Sequence, residues 1–252
     1  MKVSVILLEY KSIDEIKDAI KSIRKYEKDC DIVVSSNSLY NVEEQSRIKD
    51  TITDCKWVFN PENGGFGYGM TMGAKAAEGD YLVFLNSDVL LQSDFSKMIA
   101  FMEDHPNVGM IAPQLVDSNG VVQDSYRKII TPFNFFWRHV ERFMKVKHEQ
   151  KQTEPIIVDW VIGAFMLTKK TYFDMVGGFD YKTYFMYVED MDLCHELKLK
   201  GFDTVYYPLS SAQYVGTRAA RRNKKYTRIF LQSLFGYWKK NLCRGIVKGK
   251  TI

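Results

Sequence analysis

Asn60-Pro61-Glu62-Asn63-Gly64-Gly65-Phe66-Gly67-Tyr68-Gly69, continued by Asp80-Tyr81-Leu82-Val83-Phe84-Leu85-Asn86-Ser87-Asp88, is the stretch whose reading decides the fold. Gly65, Gly67 and Gly69 let backbone come close to a ligand. A helix from Gly69 to Ala77 then leads into the apolar run Asp80 to Leu85, which reads as a buried strand delivering Asp88 to a sheet edge. Hard divalent cations take one or two carboxylates, water and phosphate oxygens, so a carboxylate there points to a nucleotide-diphosphate site. Ser87-Asp88 also fits a plain turn, or a cap for a helix beginning near Phe95, and this stretch alone leaves all three readings open.

Toward the N-terminus, strand and helix signals alternate. Val3 to Leu8 is a buried-strand run, and Ser12-Ile13-Asp14-Glu15 reads as a capping box for an amphipathic helix through Ile16, Ile20 and Ile23. Asp31 to Val34 and Lys56 to Phe59 are further strands, with a helix between them capped by Asn41 and Glu44. Such repeated units predict an α/β fold, a mostly parallel sheet with helices on both faces, whose ligands bind beyond the carboxyl ends of the strands. Beyond Pro113 the pattern is mixed: a hairpin turn at Asp117 to Gly120, one or two strands in Ile156 to Leu167, and a helix from about Met191 to Lys200 closed by Gly201.

A chain of 252 residues with 46% hydrophobic content fills a substantial core. Cys30, Cys55, Cys194 and Cys243 have no paired metal spacing and fit a reducing compartment, and His105, His139, His148 and His195 show no ligand spacing. No signal-peptide core or run of apolar residues long enough to span a bilayer appears, so the expected location is cytoplasmic. The net charge of +4 is unevenly spread. No acidic residue follows Asp203, while eleven basic ones do; removing these eleven from 35 leaves 24 against 31 acidic residues in 1–203, a balance of −7.

A second acidic cluster, Tyr187-Val188-Glu189-Asp190-Met191-Asp192-Leu193, lies at a helix start. Carboxylates there satisfy the dipole and the unpaired N–H groups. A carboxylate there also suits a general base that takes a proton from an acceptor hydroxyl.

Taken together, the glycine loop, Asn86-Ser87-Asp88, Gly163-Ala164-Phe165-Met166-Leu167, Gly177-Gly178-Phe179-Asp180 and Glu189-Asp190-Met191-Asp192-Leu193 resemble inverting family-2 glycosyltransferases of the GT-A fold. The rhamnosyltransferase-like branch is the nearest in look. The resemblance covers about residues 3–215 and implies a GT-A domain over 1–215, with a nucleotide-binding half (1–112) and an acceptor half (113–215), followed by a basic amphipathic helical tail (216–252). It implies a nucleotide-diphosphate sugar donor, a glycan or lipid-linked saccharide acceptor, and Mg²⁺ or Mn²⁺ held by Asp88. Asp190 matches the family's catalytic base, with Glu189 as its neighbour and second choice, and Asp192 caps the helix or orients Asp190. Tyr10 matches a residue lining the nucleotide-base pocket, and Gly163-Ala164 matches the wall near donor sugar and acceptor. Asn37, Asn63, Gly65, Gly67 and Asn86 complete the donor-binding set that the resemblance implies.

Three places depart from the family pattern. Glu9-Tyr10-Lys11 stands for the usual Thr-Tyr-Asn, Ser35-Ser36-Asn37-Ser38 for Asp-Asn-x-Ser, and Gln213 for a histidine that joins the metal. Asp88 is then left to hold the ion almost alone, with a leaning to Mg²⁺.

Rival functions are weaker. A dinucleotide fingerprint lacks its third glycine, since Met70 and Met72 stand there, and a phosphate-cradling ATPase loop fails because Met70 replaces its lysine. A sugar-nucleotide pyrophosphorylase wants basic residues in the glycine loop, and Gly64 to Gly73 has none. A binding homologue without turnover is the non-enzymatic rival.

Two stretches remain. Thr131-Pro132 opens a helix with Phe133, Phe136, Trp137, Val140 and Met144 on one face and Arg138, Arg142, Lys145 and Lys147 nearby. The tail carries a second stripe: Tyr226, Ile229, Phe230, Leu234, Tyr237, Trp238 and Leu242. Both fit either packing on the domain or an anionic membrane surface on the cytoplasmic side, and the tail stripe also fits a homodimer. Nucleic acid is not an expected partner, as no binding module accompanies the charge.

Overall fold

The computed structural model describes residues 2–135, 152–214 and 224–242. The later part of the 131–147 stripe, His139, His148, Cys243 and the segment 215–223 lie outside the described residues.

Strands β1 (Val3–Glu9), β2 (Asp31–Ser36), β3 (Lys56–Phe59) and β4 (Tyr81–Asn86) form the parallel half of the main sheet, in the order β3-β2-β1-β4. The sheet continues with β10 (Phe165–Lys169), β6 (Val108–Val116), β11 (Asp203–Tyr214) and β5 (Val89–Leu91). β10 is antiparallel to β4 and to β6, β11 is parallel to β6, and β5 and β8 (Ile156–Val158) pair antiparallel with β11. A separate ribbon joins β7 (Tyr126–Arg127) to β9 (Trp160–Val161). The region expected to hold one or two strands thus holds three short ones. β6 runs unbroken through Pro113, so the 112/113 division falls inside a strand.

Alternation along the central strands supplies both faces of the core. Val5 and Leu7 of β1 and Val83 and Leu85 of β4 pack on one side with Ile16, Ala19, Ile20 and Ile23 of helix α1 (Ile13–Tyr26). Ile6, Leu82 and Phe84 face the other side. There they meet α3 (Phe66–Ala76), α5 (Lys170–Met175) and α6 (Glu189–Leu199). Period-two burial on both faces makes these strands read as unbroken apolar runs.

Local chemistry sets the helix starts. Asn41 and Glu44 form the expected capping box of α2 (Val42–Thr51). At α1 the box does not form: the Ser12 N–H donates to Glu9 Oε1 at 3.0 Å, and the Ser12 side chain makes no cap bond. α3 begins at Phe66, three residues before the predicted Gly69, because the Phe185 carbonyl accepts the Phe66 N–H at 3.1 Å. α4 (Ser96–Asp104) is led by Asp94, which accepts the Ser96 N–H at 3.0 Å and so takes the cap role considered for Ser87-Asp88. α6 starts at Glu189, two residues earlier than predicted, and closes as expected on Gly201 at φ 89°.

The last helix, α7 (Lys224–Leu242), turns its apolar stripe inward. Leu234 is fully buried, Tyr237 is 3% exposed, and Phe230 and Trp238 pack on the α3/α6 side of the core. Trp238 Nε1 donates to the Ile130 carbonyl at 2.8 Å, and its ring meets Phe135 edge-on. These residues, which also fitted a membrane or a second subunit, face the body instead. Lys224, Arg228, Phe235 and Lys239 remain outside. No described helix is long and apolar enough to cross a membrane.

Candidate active site

β4 delivers its chain end to an open cleft. Ser87 and Asp88 make the turn into β5, and the cleft, about 450 Å³, is lined by Tyr10, Glu15, Asp18, Asn86, Ser87 and Asp88 among others. Tyr10 is half exposed and Ser87 Oγ donates to Glu15 Oε2 at 2.8 Å. Burial, with the Glu15 charge adding to it, pushes the Asp88 carboxyl up to about 6. No described cationic side chain forms an ion pair with Asp88. A part-buried carboxylate that lacks a cation and adjoins a second carboxylate fits the hard-oxygen chemistry of Mg²⁺ or Mn²⁺. Gln213 pairs in register with Leu90, two residues beyond Asp88.

The second carboxylate cluster follows two strained residues. Tyr187 and Val188 hold φ of 70° and 77°, a left-handed conformation that a β-branched residue strongly disfavours. The chain then enters α6. Asp190 Oδ2 accepts the Gly163 N–H at 2.9 Å, and its Oδ1 accepts the Met191 N–H at 2.8 Å. Burial raises the Asp190 carboxyl, while these N–H groups and the Arg127 charge pull it down. Glu189 is 5% exposed, and its Oε2 has no hydrogen-bond partner. Burial first, then the neighbouring Asp190 charge, pushes it up to about 8. Asp192 makes no cap bond to α6: it is 2% exposed and accepts from Tyr184 Oη at 3.2 Å and Lys240 Nζ at 2.7 Å.

One backbone bridge joins the two clusters. The Asn86 N–H donates to the Ala164 carbonyl at 3.0 Å, and Gly163 beside it holds Asp190. The backbone of Asn86, Ala164 and Gly163 thus lies between the turn bearing Asp88 and the Asp190 carboxylate, while the cleft beside Asp88 is lined from α1 and not by Asp190.

Four expected donor-binding positions serve the protein itself. A Cβ on Gly65, which has φ 89°, would overlap the Phe185 carbonyl oxygen, and one on Gly67 would lie 2.9 Å from Phe179 Cβ. These glycines admit the Phe179–Phe185 segment against α3, a close approach within the protein that the sequence did not announce. Asn37 is 1% exposed; its Nδ2 donates to the Gly65 carbonyl and its Oδ1 accepts from Asn60. Asn63 Oδ1 accepts the Gly65 N–H at 3.1 Å. All four shape the loop that leads into α3.

The two N-terminal departures prove to be one feature. Glu9 and Ser36 are partners in the β1–β2 register, and fully buried Glu9 accepts from the hydroxyls of Ser36, Ser38 and Tyr40 as well as from the Ser12 N–H. The carboxylate sits on β1 and the hydroxyl on β2, ligating the two loops to each other. Sequence reasoning missed Arg127 and Lys240. Arg127 comes from a two-residue strand with no periodic signal, and Lys240 belongs to a basic tail in which no single lysine stands out.

The chain is 32% identical over 137 residues to rhamnosyltransferase WbbL of Escherichia coli K12, covering 53% of this chain and 52% of that protein. It is 25% identical over 190 residues to the N-acetylglucosaminyl-diphospho-decaprenol L-rhamnosyltransferase of Mycobacterium tuberculosis, covering 68% of this chain and 61% of that one. The chain thus spans about half to three fifths of these relatives. Two solved structures share the fold. GalNAc-T7 with UDP, GalNAc and Mn²⁺ matches at TM-score 0.64 and 15% identity over 85% of this chain and 44% of that one. Mannosyltransferase PcManGT of Pyrobaculum calidifontis with GDP-Man and Mn²⁺ matches at 0.62 and 17% over 97% and 65%. The sheet, the acidic turn after β4 and the helix-borne acidic pair thus stand in a GT-A fold, and since the description of glycosyl transferase family 2 matches residues 4–177, the chain belongs to that family.

Proposed function

We propose that this chain moves a sugar, with inversion at its anomeric carbon, from a nucleotide-diphosphate donor to a hydroxyl of a glycan or lipid-linked saccharide during polysaccharide biosynthesis. The observation that carries the reading is the bridge from Asp190 through Gly163-Ala164 to Asn86, which joins a base-competent carboxylate to the turn bearing Asp88. The two rhamnosyltransferase relatives support a deoxyhexose donor and a lipid-linked acceptor.

In this reading Asp190 accepts the proton of the acceptor hydroxyl as the new C–O bond forms and the bond from the anomeric carbon to the diphosphate oxygen breaks. Burial raises the Asp190 carboxyl overall, which suits a proton acceptor, and two N–H groups and the Arg127 charge offset part of that rise. Glu189, pushed well above the ordinary carboxylate range, stays protonated and leaves the base role to Asp190. Asp88 would hold Mg²⁺ or Mn²⁺, which when bound would offset charge on the departing diphosphate. Tyr10, half exposed at the mouth of the same cleft, offers its ring to the nucleobase.

The outward face of α7, with Lys224, Arg228 and Lys239 around Phe235, is suited to an anionic bilayer at the cytoplasmic surface, where a lipid-linked acceptor resides. The test is a panel of nucleotide sugars with a polyprenyl-diphosphate saccharide acceptor, with and without Mg²⁺ or Mn²⁺, read by nucleoside-diphosphate release and product mass. One donor giving a metal-dependent inverted product supports the proposal. Binding without transfer or hydrolysis for every donor would leave a binding homologue in its place.

A further inference from the structure

The segment carrying Asp190 is held from two sides. On one side, Phe185 and Phe179 lie against the start of α3, as described above. On the other side stands α7. Ser233 Oγ donates to the Met186 carbonyl at 2.8 Å, immediately before the strained pair Tyr187-Val188. Seven residues along α7, Lys240 Nζ donates to Asp180 Oδ2 at 3.0 Å and to Asp192 Oδ2 at 2.7 Å, with Glu196 Oε1 at 3.1 Å.

Asp180 and Asp192 bracket this segment, so one ammonium group closes it into a ring. Asp192 is 2% exposed, and a carboxylate so buried needs both a counter-charge and hydrogen bonds. Lys240 supplies the charge, while the Tyr184 hydroxyl donates to the other Asp192 oxygen. Left-handed conformations at residues such as Tyr187 and Val188 persist only where their surroundings over-determine them. The Ser233 bond before the pair and the Lys240 bonds on either flank are such constraints. Asp190 lies two residues from Asp192 on the first turn of α6, so the position of Asp192 sets the direction in which Asp190 leaves the helix.

We propose that Lys240 is a positioning residue for the transfer reaction: by tying Asp180 to Asp192 it fixes the first turn of α6 and with it the Asp190 carboxylate against Gly163. The proposal rests on Asp190 being the base. It makes α7 a working part of the site.

The experiment measures turnover and donor KM for the full chain with Lys240→Met, with Asp190→Asn and with both. Lys240→Met is expected to lower kcat about 10–100-fold, the scale of a displacement near 1 Å, while donor KM stays within about twofold. Because Lys240 acts through Asp190, the double variant is expected to match Asp190→Asn within about twofold.

A third variant guards against loss of folding. Lys240→Met combined with Asp192→Asn removes the buried charge that would otherwise lack its counter-ion. It is expected to recover most of the melting temperature lost in Lys240→Met without recovering kcat. Wild-type kcat in a folded Lys240 variant overturns the proposal, and so do multiplicative losses in the double variant relative to the residual turnover of Asp190→Asn. Full turnover in Asp190→Asn alone overturns the base assignment instead, so the two failures are told apart.

Discussion

The Gly163 N–H donates to Asp190 Oδ2 at 2.9 Å, and this bond reaches from the loop before β10 to the first turn of α6. Ala164, next in the chain, accepts the Asn86 N–H, so one backbone step separates this bond from the end of β4. Asp190→Asn keeps the shape but removes the proton acceptor. It is expected to lower turnover about 10²–10⁴-fold. Nucleotide affinity, measured by calorimetry, should hardly move, and near-full activity would refute the base role.

Asp88 stands two residues beyond Asn86, on the turn from β4 into β5. Its carboxyl lies beside Glu15 and meets no cationic side chain among the described residues, so added Mg²⁺ or Mn²⁺ should raise nucleoside-diphosphate affinity in the wild type. In Asp88→Asn that metal increment is expected to disappear while metal-free binding persists. Thermal shift with and without chelator reads it directly, and an unchanged increment places the ion elsewhere.

The parallel half of the fold was legible because β1 and β4 are buried on both faces and so appear as unbroken apolar runs. The places of Asp88 and Asp190 in the fold were legible because an acidic residue at a strand or helix end is a local signal. The packing role of the glycines was not. Gly65 needs its conformation, but the partner demanding it is Phe185, 120 positions later, and no local pattern announces that approach. Arg127 and Lys240 stayed hidden in the same way, through contacts distant in sequence.

Gly65→Ala tests this reading of the loop. At φ 89° an L-residue costs about 1–3 kcal/mol. The added Cβ also displaces the Phe185 carbonyl, which accepts the Phe66 N–H, so the segment carrying Asp190 must shift. A lower melting temperature together with reduced turnover is expected. Wild-type stability combined with weakened nucleotide binding would return Gly65 to the ligand.

Glu189 gives a pH signature. Its folded pKa is raised from 4.5 to about 8, so the native state binds the proton more tightly than the unfolded chain. The associated stability is complete below about 4.5 and is lost as pH rises through about 8. Glu189→Gln cannot ionise, so its melting temperature should fall less than the wild type's between these limits. Parallel curves for the two proteins would contradict a buried, protonated Glu189.

The outward face of α7 carries the last prediction. Its apolar stripe is occupied by the body, so among the described residues of α7 bilayer contact falls to exposed side chains such as Lys224, Lys225, Arg228, Lys239 and the 63% exposed Phe235. Each cation near an anionic surface contributes about 1 kcal/mol, so Arg228→Glu with Lys239→Glu should weaken partitioning onto anionic vesicles at least about 30-fold. Because both side chains are solvent-exposed, the variant's melting temperature and its transfer to a water-soluble acceptor should match the wild type. Flotation at low and high salt decides the matter: the wild type should rise with the vesicles only at low salt. A wild type that stays at the bottom in both conditions, or a double variant that rises equally well, removes the membrane contact and leaves this face to solvent.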